Sequence, residues 1–518
     1  MSGKARIFLP QAGLLLLCAA WLLPGLIGHA PWKGGDGDHF VRLLQLLQDG
    51  TVALAEPPLY YWTAAATAWL TSPLLPLHDG ARLASGVFVA LTLGFTYRTA
   101  RLLYGAEAGW AAVLLLLGCL GLLVRGHETN AHTALFAAAA VMLYGIARLP
   151  DGPWGGGVLA AGAGLMLAAG GAAEALLLLL LAVVASLGLA PYRSAAARRA
   201  LAVALAGALA LALAWGGFLM AQGAPLAAVL GLDRWLGPGL LRPAYYPGIL
   251  GWFAWPAWPL AAWALYRGRQ QWRTPGLALP FATLLGLLAL YAFAVSPGEE
   301  RGLILLLPLA LLGAAGLFSL RRGAANALLW FGVMLFGFIG LVFWVYWSAH
   351  DFGSPARLAA RLARLGMTDV GSLRPWTLVL GAAVTLAWIG FLARVQRSPL
   401  RPVLVWTVGL TFIWALLMAL FQGPLDRRLS YAGVAEQLAA QVPADACIQT
   451  HALRNTQRQL LAYHSGRFLA PADLGCDWLL IETRQREAEP HVSPNWVKQW
   501  DGARPGDRSD RFHLYVRR

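Results

Sequence analysis

Apolar runs of about twenty residues recur along the first four-fifths of the chain, and they constrain its fold more than any other feature. A helix needs about twenty apolar residues to cross the hydrocarbon core of a bilayer. Of the 518 residues, 58% are hydrophobic and 13% are charged, whereas soluble proteins carry about 25% charged residues. The sequence therefore predicts a polytopic α-helical membrane protein.

About thirteen segments have the length and composition of membrane spans. The predicted limits are 8–28, 83–104, 108–124, 131–148, 156–172, 175–191, 200–221, 248–266, 276–295, 302–320, 325–347, 376–394 and 402–421. The fifth and sixth segments flank Glu174, and one re-entrant hairpin is an alternative for this pair. Lys4 and Arg6 precede the first run as in a signal peptide, but no small-residue cleavage site follows, so we expect an uncleaved helix.

Arginines and lysines cluster at one set of the predicted loops. The clusters are Lys4/Arg6, Arg98/Arg101, Arg193/Arg198/Arg199, Arg267/Arg269/Arg273, Arg321/Arg322 and Arg394/Arg397/Arg401. With thirteen spans they all fall on one side, which the positive-inside rule identifies as the cytoplasm. The N-terminus is then cytoplasmic, and the C-terminal tail lies outside. Topology accounts for the net charge of +15, and with no long basic arm we expect no nucleic-acid partner.

The composition changes near residue 425, which predicts a membrane domain over 1–424 and a small α/β domain over 425–518. Helices are expected at 431–442 and 455–463, and strands at 445–450, 478–482 and 511–516. Cys447 lies in one predicted strand and Cys476 borders another. Disulfides persist outside the cytoplasm, so we expect these two cysteines to be bridged; two buried thiols are the alternative.

The first outer loop, about 29–82, contains two carboxylates in a Gly-rich turn, Asp36 and Asp38. A carboxylate can act as a general base toward a hydroxyl or hold a cation against a phosphate. A solvated turn with a local Asx hydrogen bond is the structural alternative. Apolar residues at helical spacing predict an interfacial helix from His39 to Leu47, and Pro57-Pro58 can begin a second helix.

Two further groups of ionisable residues are expected on the outer side. Arg125, His127, Glu128 and Asn130 lie between the third and fourth spans, and ionisable residues at such depth suggest a functional site. The alternative is an interfacial turn in which Asn130 caps the next helix. Glu299 and Glu300 suit a helix N-terminus, while Arg301 suits a phosphate. Glu174 fits a loop or cap position better than a catalytic one.

These motifs together resemble the membrane glycosyltransferases of the C-type fold, and most closely the bacterial lipid A aminoarabinose transferase group, akin to protein O-mannosyltransferases. Asp36-Gly37-Asp38-His39-Phe40 resembles the Asp-Glu-x-x-Phe/Tyr motif of that family, and Glu56-Pro57-Pro58-Leu59-Tyr60-Tyr61-Trp62 resembles its Lys-Pro-Pro-Leu-x-Tyr-Trp motif. Arg82-Leu83-Ala84-Ser85 resembles its Arg-x-x-Ser element. The resemblance covers about 30–420. It departs at three positions: Gly37 replaces the motif Glu, Glu56 replaces a Lys linked to the donor phosphate, and Asn130 replaces an acidic residue.

The resemblance implies an inverting transfer of a sugar from a polyprenyl-phosphate donor to a lipid A-like or other envelope acceptor, at the periplasmic face of a bacterial inner membrane. Asp36 would be the general base or would orient the acceptor, with Asp38 beside it. The implied substrate-binding residues are Glu56, Tyr60, Tyr61, Arg82, Arg125, His127, Glu128, Asn130, Glu299 and Arg301. Among them, Arg82 and Arg301 would hold the carrier phosphate. The resemblance requires no nucleotide site and makes no cofactor certain, and a divalent metal is possible.

Two other classes of function are compatible with a polytopic chain of this kind. A transporter or flippase of lipid-linked sugars would show inverted repeats and broken spans at mid-membrane, and no such halves are apparent in the sequence. A non-catalytic scaffold for envelope assembly would not depend on Asp36. A transfer assay with polyprenyl-linked sugars separates these alternatives.

Overall fold

A computed structural model describes residues 11–48, 56–236, 239–295, 297–364, 374–471, 475–484, 490–507 and 509–518. The α-helices of the described residues are α1 (Gln11–Leu22), α2 (Gly35–Gln48), α3 (Pro58–Thr71), α4 (Leu77–Tyr104), α5 (Ala106–Leu117), α6 (Leu120–Arg125), α7 (His132–Arg148), α8 (Pro153–Ala168), α9 (Ala172–Gly188), α10 (Ala195–Ala221), α11 (Leu226–Val229), α12 (Asp233–Leu236), α13 (Tyr245–Phe253), α14 (Ala257–Arg267), α15 (Pro275–Ala292), α16 (Leu303–Leu317), α17 (Arg322–Phe352), α18 (Ala356–Arg364), α19 (Pro375–Arg394), α20 (Arg401–Leu429), α21 (Ala432–Gln441) and α22 (Asn455–Ser465). Short 3₁₀ turns lie at Leu149–Asp151, Ala190–Arg193 and Glu299–Gly302.

Eight segments of the described chain are long and apolar enough to cross a membrane: α4, α7 with its 3₁₀ turn, α10, α15, the 3₁₀ turn at Glu299 with α16, α17, α19 and α20. Four shorter apolar helices, α1, α5, α8 and α9, have 10–17 residues. The predicted span 248–266 is divided between α13 and α14. A helical polytopic fold is thereby confirmed, and the number of thirteen crossings stays a prediction. Residues 8–10 of the first predicted span, with Lys4 and Arg6, lie outside the described residues.

The first outer loop contains both predicted helices. α2 begins at Gly35, four residues before the predicted start, with Asp36 and Asp38 in its first turn, where acidic side chains interact favourably with the helix dipole. α3 begins at Pro58, the first-turn position that proline tolerates. α4 begins at Leu77, six residues before the predicted span, so Arg82 lies inside the helix and not in the loop just before it.

The C-terminal part forms a five-stranded sheet of β1 (Cys447–His451), β2 (Phe468–Ala470), β3 (Trp478–Thr483), β4 (Trp496–Gly502) and β5 (Arg511–Arg517). The strand order is β2-β1-β3-β5-β4. β1 is parallel to β2 and β3, while β5 is antiparallel to β3 and β4. The domain limit predicted at 424/425 falls within α20 and stays a prediction.

Two large apolar cores hold the helices and the C-terminal sheet together. One lies among the membrane helices, and the other joins α2, α3 and the outer end of α4 to the C-terminal sheet and its helices. Phe40 and Leu43 of α2 are completely buried in this second core together with Leu460 of α22 and Phe512 of β5. The C-terminal sheet is thus packed directly onto the first outer loop.

Our first prediction concerns the bridge between Cys447 and Cys476, which the structure joins as a disulfide with Cα atoms 5.3 Å apart. That separation is within the bridging range of about 4.4–6.8 Å. A bridge closing about thirty residues should contribute on the order of 3 kcal/mol to the stability of this region. Thiol labelling of the unfolded, unreduced protein should modify only Cys18 and Cys119; four reactive thiols would exclude the bridge.

A second prediction concerns topology. If α17, α19 and α20 each cross the membrane once, Arg321 and Arg322, between α16 and α17, lie on the side opposite the C-terminal sheet. A phosphatase fused after Arg518 should be active, because that enzyme works only outside the cytoplasm, and one fused after Arg322 should be inactive. The reverse pattern would overturn both the crossing number and the outer location of the site described below.

Candidate active site

Asp36 lies completely inside the protein, at 1% exposure. Its two oxygens accept hydrogen bonds from the backbone amides of Trp32 (2.8 Å) and Thr129 (2.7 Å) and from Nε and Nη2 of Arg82 (3.4 Å each). Burial alone would raise the pKa of this carboxyl, but Arg82, His29 and the two amides together hold the pKa below its ordinary value. Asp36 is therefore an ionised carboxylate whose acceptor sites are taken by the protein.

Arg82 is the partner that compensates this buried charge. The side chain is 0% exposed, and its Nη1 donates to Asp79 Oδ1 (3.0 Å) and to the backbone oxygens of Leu26 (3.2 Å) and His29 (3.3 Å). Asp79, one helical turn earlier on α4, also accepts from the amide of Gly28 (2.8 Å). The guanidinium is thus fully used within the protein, and it joins α4 to the chain that leads into α2.

The segment 126–131, between α6 and α7, is fixed by the same motif residues. Asp36 accepts from the Thr129 amide, and Ser85, one turn after Arg82, donates to the backbone oxygen of Glu128 (2.6 Å). Tyr60 of α3 shares a hydrogen bond with Ser85 (2.8 Å) and accepts from the amide of Asn130 (3.0 Å). Three resemblance motifs therefore converge on one short segment and set the position of Glu128.

Arg125, at the C-terminal end of α6, connects three carboxylates that lie just after α6 and just before α16. Its guanidinium donates to Glu128 (2.9 Å) and Glu299 (3.0 Å) and lies 3.6 Å from Glu300. Burial raises the pKa of Glu128 to about 7, in spite of the lowering effect of Arg125. This value is the one expected of a carboxyl group that exchanges protons near neutral pH.

Two histidines that we did not single out from the sequence complete this cluster. His39 Nε2 lies 3.4 Å from Glu300 Oε2, and His132 Nδ1 lies 3.2 Å from the same oxygen. His39 Nδ1 contacts the hydroxyl of Tyr61 (2.8 Å), and that hydroxyl donates to Glu56 Oε2 (3.4 Å). Glu56 also accepts from Arg42 (2.7 Å). We call His39, Arg125, Glu128, His132, Glu299 and Glu300 the outer cluster.

Two predicted site residues, Asp38 and His127, have side chains directed away from this cluster, and Asn130 contacts two of its members, Arg125 and His132. Asp38 points to the C-terminal part and accepts from the hydroxyl of Thr456 (2.6 Å). His127 is buried against Trp21, and its nitrogens contact the backbone oxygens of Leu123 and Trp21. The side-chain oxygen of Asn130 accepts from the amide of His132 (2.9 Å), a cap-like contact at the start of α7.

Arg301, beside the outer cluster, has an incompletely hydrogen-bonded guanidinium group. Among the described residues, no acceptor partners its buried Nε. A second cation lies nearby, because burial and then the charge of Arg301 lower the pKa of Arg234 to about 10. Arg234 donates to the backbone oxygen of Gly170 (3.1 Å). Glu174 is fully buried close to both arginines, and one of its oxygens accepts from Tyr291 (3.2 Å) while the other has no partner among the described residues.

An apolar groove of about 700 Å³ lies between α13–α14 and α17. Its lining is almost entirely hydrophobic and includes the rings of Trp252, Trp255, Phe331 and Trp406. The outer end of the groove reaches Gly251 of α13. Five residues earlier on the same helix, or about 7.5 Å, Tyr246 donates to the backbone oxygen of Gly298, just before the turn that carries Arg301. The groove therefore leads toward the two arginines.

No known family profile matches the chain. No curated protein matches it either. Among solved structures, ArnT from Cupriavidus metallidurans bound to undecaprenyl phosphate is similar, with a TM-score of 0.68, 14% identity and coverage of 97% of each chain. The apo state of ArnT gives a TM-score of 0.69, 15% identity and coverage of 97% of this chain and 98% of ArnT. The predicted resemblance is thereby confirmed at the level of the fold: this chain has the fold of a C-type membrane glycosyltransferase over nearly its whole length.

Proposed function

We propose that this protein is an inverting glycosyltransferase of the bacterial inner membrane. It transfers a sugar from a polyprenyl-phosphate donor to a lipid A-like lipid or another envelope acceptor at the periplasmic face. The observation that carries the proposal is the apolar groove that leads along α13 toward Arg234 and Arg301, in a chain with the fold of a protein that binds undecaprenyl phosphate. An apolar groove that leads toward two arginines complements the two parts of a polyprenyl phosphate, which are its hydrocarbon chain and its charged head group.

In the proposed reaction Arg301 and Arg234 hold the carrier phosphate. Burial, and after it the charge of Arg301, lower the pKa of Arg234, and a bound phosphate would relieve the repulsion between the two like charges. Guanidinium groups suit this role because their planar donors match phosphate oxygens. As the sugar–phosphate bond breaks, negative charge increases on the leaving phosphate, and cations already in place stabilise that charge. Arg82 is not part of this proposal, because Asp36 and Asp79 already neutralise it.

Glu128 is the general base in our proposal. Its carboxylate has a pKa of about 7, so at neutral pH a large fraction is ionised and basic enough to accept the proton of an acceptor hydroxyl. The hydroxyl oxygen then forms the new bond to the sugar while the sugar–phosphate bond breaks on the opposite side. Arg125, Glu299 and Asn130 hold Glu128 and the neighbouring surface in place.

Asp36 is assigned a positioning role instead. Its hydrogen bond to the Thr129 amide sets the segment that carries Glu128, and its lowered pKa makes it a weak base. Tyr60 belongs to the same support through its hydroxyl. Asp38 lies against Thr456, so its proposed role is to join α2 to the C-terminal sheet.

The direct test of the function is a transfer assay in proteoliposomes, with polyprenyl-phosphate sugars and envelope lipids as substrates. Wild-type protein should produce glycosylated acceptor together with free polyprenyl phosphate in equal amounts. Movement of the intact donor between leaflets without product would instead indicate a flippase. If neither lipid changed, the scaffold would be the alternative that fits.

Our third prediction concerns Arg301. Arg301→Gln should raise the KM for the donor and weaken binding of polyprenyl phosphate by about tenfold or more, because a charged hydrogen bond contributes about 1.5–3 kcal/mol. Arg301→Lys should have an intermediate effect, since the charge remains and the planar fork is lost. Arg322→Gln, which removes an arginine at the other end of the bundle, should bind normally. Equal affinity in Arg301→Gln and wild type would remove this arginine from the phosphate site.

A fourth prediction separates Glu128 from Asp36. Wild-type turnover should fall as the pH decreases through about 7, because protonation removes the base. Glu128→Gln should lower turnover by about 10²–10⁴-fold and abolish this dependence. Asp36→Asn should lower turnover by roughly a hundredfold because it misplaces the segment 126–131 that carries Glu128. Its turnover should still fall as the pH decreases through about 7.

Glu107→Gln provides the matched control for these profiles, because Glu107 is an exposed carboxylate at the start of α5. It should behave like wild type in both rate and pH profile. If the pH profile of Glu128→Gln activity had the wild-type shape, Glu128 would be excluded as the base. If the activity of Asp36→Asn did not depend on pH, Asp36 would be the base instead.

A further inference from the structure

Three side chains from distant parts of the sequence converge at the outer cluster: His39 of α2, His132 at the start of α7 and Glu300 before α16. One potential ligand atom from each lies within 4.8 Å of the others. Two imidazoles and one carboxylate form the donor set of open zinc sites, and imidazole ligands favour transition metals over Mg²⁺ or Ca²⁺. We propose that these three residues bind a divalent transition-metal ion of the zinc type.

The distances to the carboxylate fit such an ion. Zinc bonds of about 2.0–2.1 Å at tetrahedral angles place ligand atoms about 3.3–3.4 Å apart. Glu300 Oε2 lies 3.2 Å from His132 Nδ1 and 3.4 Å from His39 Nε2. The third edge, between the two histidines, is limited only to 4.8 Å and would shorten on binding.

The hydrogen bonds around His39 set the tautomer that a metal needs. Tyr61 donates its hydroxyl proton to Glu56, because an ionised carboxylate can only accept. The Tyr61 oxygen then accepts Nδ1–H of His39 (2.8 Å), which leaves a lone pair on Nε2 facing the Glu300 oxygen. Two acceptors at 3.4 Å repel unless a cation lies between them. Metal-binding histidines commonly donate their other N–H to such a partner.

The surroundings accommodate the Glu300 carboxylate and leave the cluster accessible to solvent. A Cβ atom at Gly35 would collide with Glu300 Oε1, so this glycine accommodates the carboxylate. The neighbouring charge of Arg125 is already compensated by Glu128 and Glu299. The side chains of His132 and Glu300 are each 22% exposed, so a fourth coordination position can be reached from solvent. This inference does not rest on the proposed transferase activity.

The test is metal analysis of the full-length protein, purified in detergent with a histidine-free affinity tag and equilibrated with micromolar Zn²⁺. We expect about one Zn²⁺ per chain in wild type, as three ligands of one site imply. His39→Ala, His132→Ala and Glu300→Gln should each lose the ion. Tyr61→Phe should keep the ligands but bind Zn²⁺ about 10–100-fold more weakly. His464→Ala, a control on α22 outside the cluster, should retain wild-type stoichiometry.

A second measurement protects against variants that fold poorly. Zn²⁺ should raise the melting temperature of wild type and His464→Ala, because an ion that binds only the folded state stabilises it, and should leave that of Glu300→Gln unchanged. Wild-type protein that binds no Zn²⁺ would overturn the proposal. The same conclusion follows if the ligand variants retain the metal, or if only Mg²⁺ or Ca²⁺ binds.

Discussion

The buried ion pair between Asp36 and Arg82 is the interaction on which the arrangement of α2, α4 and the segment before α7 depends. Removing one partner of such a pair leaves an uncompensated charge and costs about 3–5 kcal/mol. Here the pair also has a geometric consequence, since each partner holds backbone from another element: Arg82 holds the chain before α2, and Asp36 holds Thr129. The first outer loop, α4 and the segment before α7 are therefore fixed relative to one another by two side chains that no solvent reaches.

The C-terminal sheet contributes to the same arrangement from the other side of α2. At about 100° per residue, Asp36 and His39 lie close together around the helix, while Asp38 lies on the opposite side. Asp38 accordingly contacts Thr456 of α22, and Lys33 binds Asp510 near β5 (3.1 Å). Because these contacts and the shared apolar core cover one side of α2, the other side presents His39 to the outer cluster. The sheet is thus a structural support for the site.

The sequence predicted the elements with strong local signals and missed those that depend on assembly. The membrane helices, α2, α3 and the three inner strands β1, β3 and β5 follow from apolar periodicity and proline positions. The two strands that were missed, β2 and β4, are the edges of the sheet, where strands are short or polar and the hydrophobic pattern is weak. The motif identified Asp36 as a candidate site residue, but it did not predict that Asp36 is buried, because a Gly-rich acidic turn is typical of a solvent-exposed loop. His39, His132 and Glu300 are far apart in sequence, and only the fold brings them together.

The departure at Glu56 connects the two ends of the proposed site. The family resemblance places a lysine there, linked to the donor phosphate, and a carboxylate would repel that phosphate. In this chain Glu56 is paired with Arg42 and orients Tyr61, and through Tyr61 it orients His39. A cation for the phosphate must then come from another element, and Arg301 with Arg234 is the pair that the apolar groove approaches. The replacement of the motif lysine by Glu56 thus fits a site in which arginines of α12 and of the turn before α16 hold the phosphate. The residues at the start of α3 instead orient the histidine of the cluster.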